Sequence, residues 1–195
     1  VQIAEIFDSI QGEGPWAGAE SVFIRTSGCN LRCWFCDTPY TSWKPEGSAW
    51  TVAELVQRVK ASPAGDLVLT GGEPMLVPEL SELSARCRAL GRRVTIETAG
   101  TVDREVACDL MAISPKLSNS VPDNSVWRQR HEQARFQPDV IRALLARYEC
   151  ILKFVINQPG DLQEVREWLT HFPDVRPESV WLMPQAWTRE QLSSR

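Results

Sequence analysis

The sequence predicts an α/β fold: a partial, open β/α barrel with about six parallel strands. Three observations predict it. Near-continuous apolar, strand-like runs alternate with amphipathic helical runs, the pattern of a parallel sheet covered by helices. The strands are too few to close an eight-stranded barrel. Glycine and polar residues collect directly after the strands, where sheets of this kind bind ligands.

Taken in order, residues 1–18 read as an N-terminal hairpin with a glycine-rich turn, QGEGPWAG (Gln11–Gly18). SVFIRT (Ser21–Thr26) is the first parallel strand, rich in β-branched and aromatic residues. Thr51–Ala61 is a helix: Val52, Leu55, Val56 and Val59 form an apolar stripe, and Thr51 with Glu54 makes a capping box. Asp66–Thr70 is a strand, and Pro78–Leu90 a helix with proline near its start. Arg93–Thr98 and Leu110–Ser114 are strands. Asp139–Tyr148 is a helix, Cys150–Ile156 a strand, and Asp161–Phe172 a helix with a second capping box, Asp161 and Glu164. Ser179–Pro184 is the last strand. The segments that follow the six strands are the cysteine loop, TGGEP (Thr70–Pro74), ETAGT (Glu97–Thr101), SPK (Ser114–Lys116), NQPGD (Asn157–Asp161) and Pro184–Gln185, all gathered at one rim.

A length of 195 residues and 22.0 kDa fits one domain, residues 1–195, with the hairpin of residues 1–18 contributing to the site. A net charge of −4 argues against broad binding to nucleic acid or anionic membrane. No apolar run approaches the ~18 residues of a membrane span, and Val1 opens into strand-like sequence without a basic-then-apolar leader, so a cytoplasmic protein is expected. Of six cysteines, Cys87, Cys108 and Cys150 are scattered and read as small buried apolar residues.

GCNLRCWFCDT (Gly28–Thr38) holds the other three, Cys29, Cys33 and Cys36, as C-x3-C-x2-C. A disulfide framework uses even numbers, and a closed zinc site wants a fourth Cys or His close by; the nearest histidine, His131, lies roughly a hundred residues on. Three thiolates suit a 4Fe–4S cluster, which normally takes four and here keeps one iron open as a Lewis-acidic redox centre.

This spacing, with Phe35 before the last cysteine and GGEP (Gly71–Pro74) at the next strand end, resembles the radical S-adenosylmethionine (radical SAM) superfamily. From about Ile3 to Gln185, the segments EIFDSIQGEGPWAG, FIRTSGCNLRCWFCDT, TGGEP, ETAGT, SPK and LKFV closely resemble the 7-carboxy-7-deazaguanine synthase family. The resemblance implies a modified radical SAM fold and conversion of 6-carboxy-5,6,7,8-tetrahydropterin to 7-carboxy-7-deazaguanine with loss of ammonia, on the route to queuosine. It implies a 4Fe–4S cluster, SAM and Mg²⁺, an external one-electron reductant (flavodoxin or similar), and a homodimer. After Gln185 the family continues into a segment that helps close the substrate site, where this chain reads AWTREQLSSR. Within the superfamily the alternative is a glycyl-radical activating enzyme, which has no use for QGEG. From another class it is a non-catalytic iron–sulfur or zinc-binding module.

Carried over residue by residue, the resemblance makes Cys29, Cys33 and Cys36 the cluster ligands and Thr38 a magnesium ligand. The bland alternative for Thr38 is a cap on the turn before Pro39. Ile10, Gln11 and Gly12 match a segment that contacts the pterin, largely through backbone; an ordinary hairpin turn is the alternative. Arg25, alone in an apolar strand, needs a partner, because an unpaired buried charge costs several kcal/mol. That partner is the substrate carboxylate on the family match, or Glu5, Glu20 or Glu97 in an ordinary ion pair. Thr70 matches a substrate position, and Gly72, Glu73, Ser114, Pro115, Lys116 and Gln158 match SAM positions. Glu13, Glu97 and Thr98 stand as further polar candidates, Asp37 as a support behind Thr38, and Phe35 as adenine packing. The segment Val126–Phe136, with His131, reads as a surface helix or flexible lid within a candidate lid, Asn119–Gln137. His171 reads as a helix-end partner.

Overall fold

The computed structural model describes residues 1–123 and 125–193; Asn124, inside the candidate lid, and Ser194 and Arg195, at the end of the AWTREQLSSR stretch, lie outside the described residues. In chain order the elements are β1 (Gln2–Ile10), β2 (Glu20–Thr26), α1 (Pro39–Ser42), β3 (Ser48–Ala49), α2 (Val52–Ala61), β4 (Asp66–Gly71), α3 (Leu80–Ala89), β5 (Arg93–Thr98), β6 (Leu110–Ile113), α4 (Ser125–Arg135), α5 (Pro138–Arg147), β7 (Cys150–Ile156), α6 (Asp161–Thr170), β8 (Val180–Pro184) and α7 (Arg189–Ser193).

One eight-stranded sheet runs in the order β3-β1-β2-β4-β5-β6-β7-β8. From β2 to β8 every adjacent pair is parallel; β1 is antiparallel to β2 and to β3. The expected parallel strands are all present. The N-terminal strand is not a separate hairpin, however: β1 extends the main sheet beyond β2.

Helices cover one face. Leu55, Val56 and Val59 of α2, Leu80, Leu83 and Cys87 of α3, Ile141 and Leu144 of α5, and Val165 and Trp168 of α6 are buried against Val22, Ile24, Leu67, Leu69, Val94, Ile96, Leu152 and Phe154 of the strands. Each such aliphatic side chain, fully buried, contributes roughly 1.5–3 kcal/mol. The Thr51–Glu54 capping box forms as expected. The second does not: Gly160 is the cap residue of α6. The Asp161 carboxylate turns back to the preceding loop, accepting from Asn157 N (2.7 Å), Gln158 N (3.1 Å) and Asn119 Nδ2 (2.7 Å). Glu164 accepts from Ser118 N at 2.8 Å. Both carboxylates thus secure loops at the rim of the sheet rather than the helix end. Cys87, Cys108 and Cys150 are free thiols; Cys87 and Cys150 are buried and Cys108 half-buried.

Strand alternation sorts the two faces. Ile24, Leu69, Ile96 and Leu152 point into the helix-covered core, while their neighbours Arg25, Thr70, Glu97 and Lys153 line a cleft on the opposite, concave face. The register sets Arg25 beside Thr70. This placement explains a charged residue inside an apolar strand.

Candidate active site

The cleft opens at the C-terminal ends of the parallel strands, and the cysteine loop forms one wall. Gly28 takes a positive φ of 105° as the chain leaves β2, a conformation that favours glycine. Cys29, Cys33 and Cys36 all line the cleft as free thiols. Leu31 N donates to Cys29 Sγ at 3.4 Å, and Ser42 Oγ donates to Cys36 Sγ at 3.4 Å. Burial pushes the Cys29 thiol up to about 12 and the Cys33 thiol up to about 11. Bound iron reverses that balance, since a coordinating metal deprotonates its thiols. Among the described residues, no three His, Cys, Asp or Glu side chains are grouped to hold a single metal ion. Three soft sulfur donors on one wall, with hydrogen-bond donors aimed at two of them, fit an iron–sulfur cluster with one iron left free of protein.

The GGEP segment lies directly against this loop. Gly72 N donates to Thr26 O (3.1 Å) and Glu73 N to Gly28 O (2.9 Å). A Cβ on Gly72 would stand 2.2 Å from Gly28 O, so only glycine allows this approach. An ammonium group placed here would donate to the Gly72 carbonyl, since only an acceptor can pair with it. Glu73 is fully buried, and its carboxylate accepts from Thr98 Oγ1 (2.7 Å), Ala99 N (2.8 Å) and Met75 N (3.0 Å). Burial raises its pKa against those bonds. Glu73 therefore brackets the ends of β4 and β5 together and does not line the cleft. Thr98 is spent in the same bracket.

Ser114 and Lys116, after β6, do line the cleft. Lys116 Nζ donates to Ser114 O (2.7 Å) and Oγ (2.8 Å), and burial lowers its pKa. Pro115 is buried, and Gln158 is exposed and does not line the cleft.

On the other side, Arg25 Nε donates to Glu5 Oε1 at 2.6 Å, and Tyr40 OH donates to the same oxygen at 2.6 Å. The ion-pair reading of Arg25 holds for Nε alone; its two terminal nitrogens make no hydrogen bond or ion pair among the described residues. Thr38 lines the cleft, and its side chain makes no cap bond to α1. Its Oγ1 instead donates to Asp37 Oδ1 at 3.3 Å. Phe35 is buried in the cleft wall, edge-on to Trp34. The residues after β8 complete the rim, with Trp187 6.5 Å from the Trp34 ring.

The hairpin turn crosses the concave face. Gln11 Nε2 donates to Glu97 Oε1 (3.2 Å), and Glu13 pairs with Lys153 of β7. Both backbone groups of Gln11 are used within the turn, by Ala19 O and Gly18 N. Ile10, Gln11 and Gly12 do not line the cleft, whereas Glu13 does. Lys153 was missed in the sequence; its signal was a second charge in an apolar strand, the same signal that picked out Arg25. His131 was undervalued. It is 1% exposed, and burial pushes its pKa down to about 4. It is no surface residue, because its ring is held between Arg32 N and Ser120 Oγ.

A partial parallel barrel with a three-cysteine loop and a glycine-backed neighbouring turn defines a radical SAM enzyme. The Radical SAM superfamily profile matches residues 23–117. The chain is 45% identical to the 7-carboxy-7-deazaguanine synthase of Rhodopirellula baltica, over 98% of this chain and 76% of that one. It is 41% identical to the 7-carboxy-7-deazaguanine synthase of Halobacterium salinarum, over 99% of this chain and 80% of that one. The solved structure of QueE from Escherichia coli superposes with a TM-score of 0.72, covering 99% of this chain and 86% of that one at 24% identity. The chain belongs to the 7-carboxy-7-deazaguanine synthase family. Membership implies a 4Fe–4S cluster and SAM. No helix is long and apolar enough to cross a membrane among the described residues.

Proposed function

We propose that the protein converts 6-carboxy-5,6,7,8-tetrahydropterin to 7-carboxy-7-deazaguanine with loss of ammonia, in queuosine biosynthesis. The observation that carries the reading is one cleft lined by Cys29, Cys33 and Cys36 together with Arg25, Thr38 and Thr70. Cys29, Cys33 and Cys36 would hold a 4Fe–4S cluster, which would supply one-electron reduction to SAM.

The chain's own residues bind and orient. Gly72, Ser114 and Lys116 hold SAM against the cysteine wall. Arg25 offers its terminal nitrogens to the substrate carboxylate, a bidentate contact. Thr38 would offer one oxygen to Mg²⁺, an ion that favours oxygen ligands, with substrate and waters as the other donors. Gln11 acts through Glu97, and Ile10 and Gly12 shape the turn that carries Glu13. Glu13, Asp37, Glu97 and Lys153 are titratable groups that line the cleft near Arg25, Thr38 and Thr70, and the proton transfers that accompany ammonia loss fall to this set. Phe35, buried in the cleft wall, gives the site an apolar lining. The reading includes an external one-electron donor, flavodoxin or similar, and a homodimer. Trp181 and Leu182, exposed on the edge strand β8, offer apolar surface for it.

The test is anaerobic turnover with the pterin, SAM, Mg²⁺ and a reductant. The expected product is 7-carboxy-7-deazaguanine, with SAM regenerated. An intact cluster that cleaves SAM without yielding that product rejects the specific reaction.

A further inference from the structure

His131 has no part in the chemistry above, yet it is among the most enclosed polar side chains of the protein, 1% exposed. It sits on α4, and its ring joins two segments of the site. The backbone N–H of Arg32, between Cys29 and Cys33, donates to Nδ1 at 3.0 Å. Nε2 lies 2.8 Å from Ser120 Oγ, and that hydroxyl donates to Leu117 O at 2.6 Å. The directions are forced. Nδ1 faces a donor, so it carries no proton; Ser120 spends its only proton on Leu117, so it accepts from Nε2–H. The hydrogen-bond pattern assigns a neutral ring protonated on Nε2. It also defines one chain of bonds, from Arg32 N–H through His131 and Ser120 to the Leu117 carbonyl.

Leu117 directly follows Ser114–Lys116 at the end of β6, and the cysteine loop follows β2. In the sheet these strands are separated by β4 and β5, so no backbone ladder joins them. Further contacts reinforce the same bridge. Trp34 N donates to Ser120 O (3.2 Å) and Trp34 Nε1 to Asn119 O (2.6 Å). The Arg32 guanidinium stacks 4.2 Å from the Trp127 ring.

We infer that His131 is a positioning residue that holds the cysteine loop in register with the Ser114–Lys116 segment, and so sets the cluster at a fixed separation from SAM. The inference rests on the radical SAM reading of the cleft. It does not depend on the pterin reaction. Linked hydrogen bonds of one polarity reinforce one another in a dry interior, and they break together when a member is removed. A loop that loses the link still holds its cysteines but presents them in several arrangements.

The experiment uses reconstituted full-length protein. His131→Leu keeps the volume and removes both bonds; Ser120→Ala breaks only the far link. Four readouts are taken: iron content, the change in the reduced cluster's EPR spectrum when SAM is added, KM for SAM from 5′-deoxyadenosine formation, and hydrogen exchange of the Arg32 amide. Both variants are expected to keep about four irons per chain. His131→Leu is expected to raise the KM for SAM by about tenfold, to weaken the SAM-induced EPR change, and to speed Arg32 exchange by about tenfold. Ser120→Ala is expected to move the KM in the same direction by about threefold. A lower melting temperature with wild-type EPR response and wild-type KM for SAM would make His131 a packing residue only and overturn the inference. If His131→Leu does not fold, His131→Asn replaces it. Its Oδ1 keeps the acceptor for Arg32 while the Ser120 link is lost; protected Arg32 with a raised KM supports the inference, and an unchanged KM overturns it. No readout involves the pterin, so a wild-type protein that cleaves SAM but makes no deazaguanine rejects the proposed reaction and leaves this inference standing.

Discussion

Replacing Gly72 with alanine tests the contact that brings the two motifs together. The added Cβ would lie 2.2 Å from Gly28 O, 2.6 Å from Gly28 C and 2.8 Å from Thr41 O. All three are backbone atoms, so no side chain can swing aside. Gly72 does not have the positive φ of its neighbour Gly71, so alanine adds no backbone strain of its own and the effect is steric. The cysteine loop must retreat by roughly 1 Å, an overpacking that costs about 1–3 kcal/mol. The retreat also strains the Glu73 N to Gly28 O and Gly28 N to Thr41 O bonds, each contributing about 1 kcal/mol. Together the loss is about 2–4 kcal/mol, or about 5–15 °C in melting temperature for a domain of this size. Urea unfolding and a thermal melt read it directly. Gly65→Ala is the control, because nothing lies within 4 Å of its Cβ position; it should melt within about 2 °C of wild type. A Gly72→Ala protein that melts with the control and binds SAM normally would refute the close approach.

Three further predictions follow from the same geometry. Arg25→Gln should raise the KM for the pterin by about 10–100-fold, the loss of a charge-assisted contact, while 5′-deoxyadenosine is still formed from SAM; an unchanged KM would leave Arg25 as the partner of Glu5 alone. Glu73→Gln sets an amide N–H against one of the three groups that now donate to the carboxylate, and should lower stability by about 1–3 kcal/mol in urea. His131 is held down to about 4 from 6.5 by burial, with Arg135 and Lys116 lowering it and Glu132 opposing. Its neutral form is the one the fold favours, so its contribution is complete above the unfolded value and is lost as pH falls from there towards 4. By pH 5 the loss is about 2 kcal/mol, measured as the difference between wild type and His131→Asn; parallel stability curves for the two would contradict it.

Much of the site was legible because its signals are local. Cysteine spacing and the glycines of GGEP are read within a dozen residues, and Arg25 stands out because its strand is otherwise apolar. The strands and the main helices were visible in their hydrophobic period for the same reason. What escaped was partner choice. Asp161 and Glu164 look like a capping box, but donors from residues 118 and 119 and from the loop before α6 outcompete the helix end. Gln11 looks like a backbone contact to substrate, yet its backbone closes its own turn. The polar run around His131 looks like solvent-exposed helix, because one buried ring among arginines leaves no periodic trace.

The sequence by itself determined the class of chemistry and the alternation of the sheet, since ligand spacing, glycine placement and apolar period are properties of neighbouring residues. Tertiary structure decided which polar groups meet: Glu13 with Lys153 across 140 positions, and the Arg32 backbone amide with the His131 ring across 99. Those pairings exist only once the sheet curves and brings its strand ends around one cleft. No local rule encodes them, because the cost of leaving either polar group alone is felt only after both have been taken out of water.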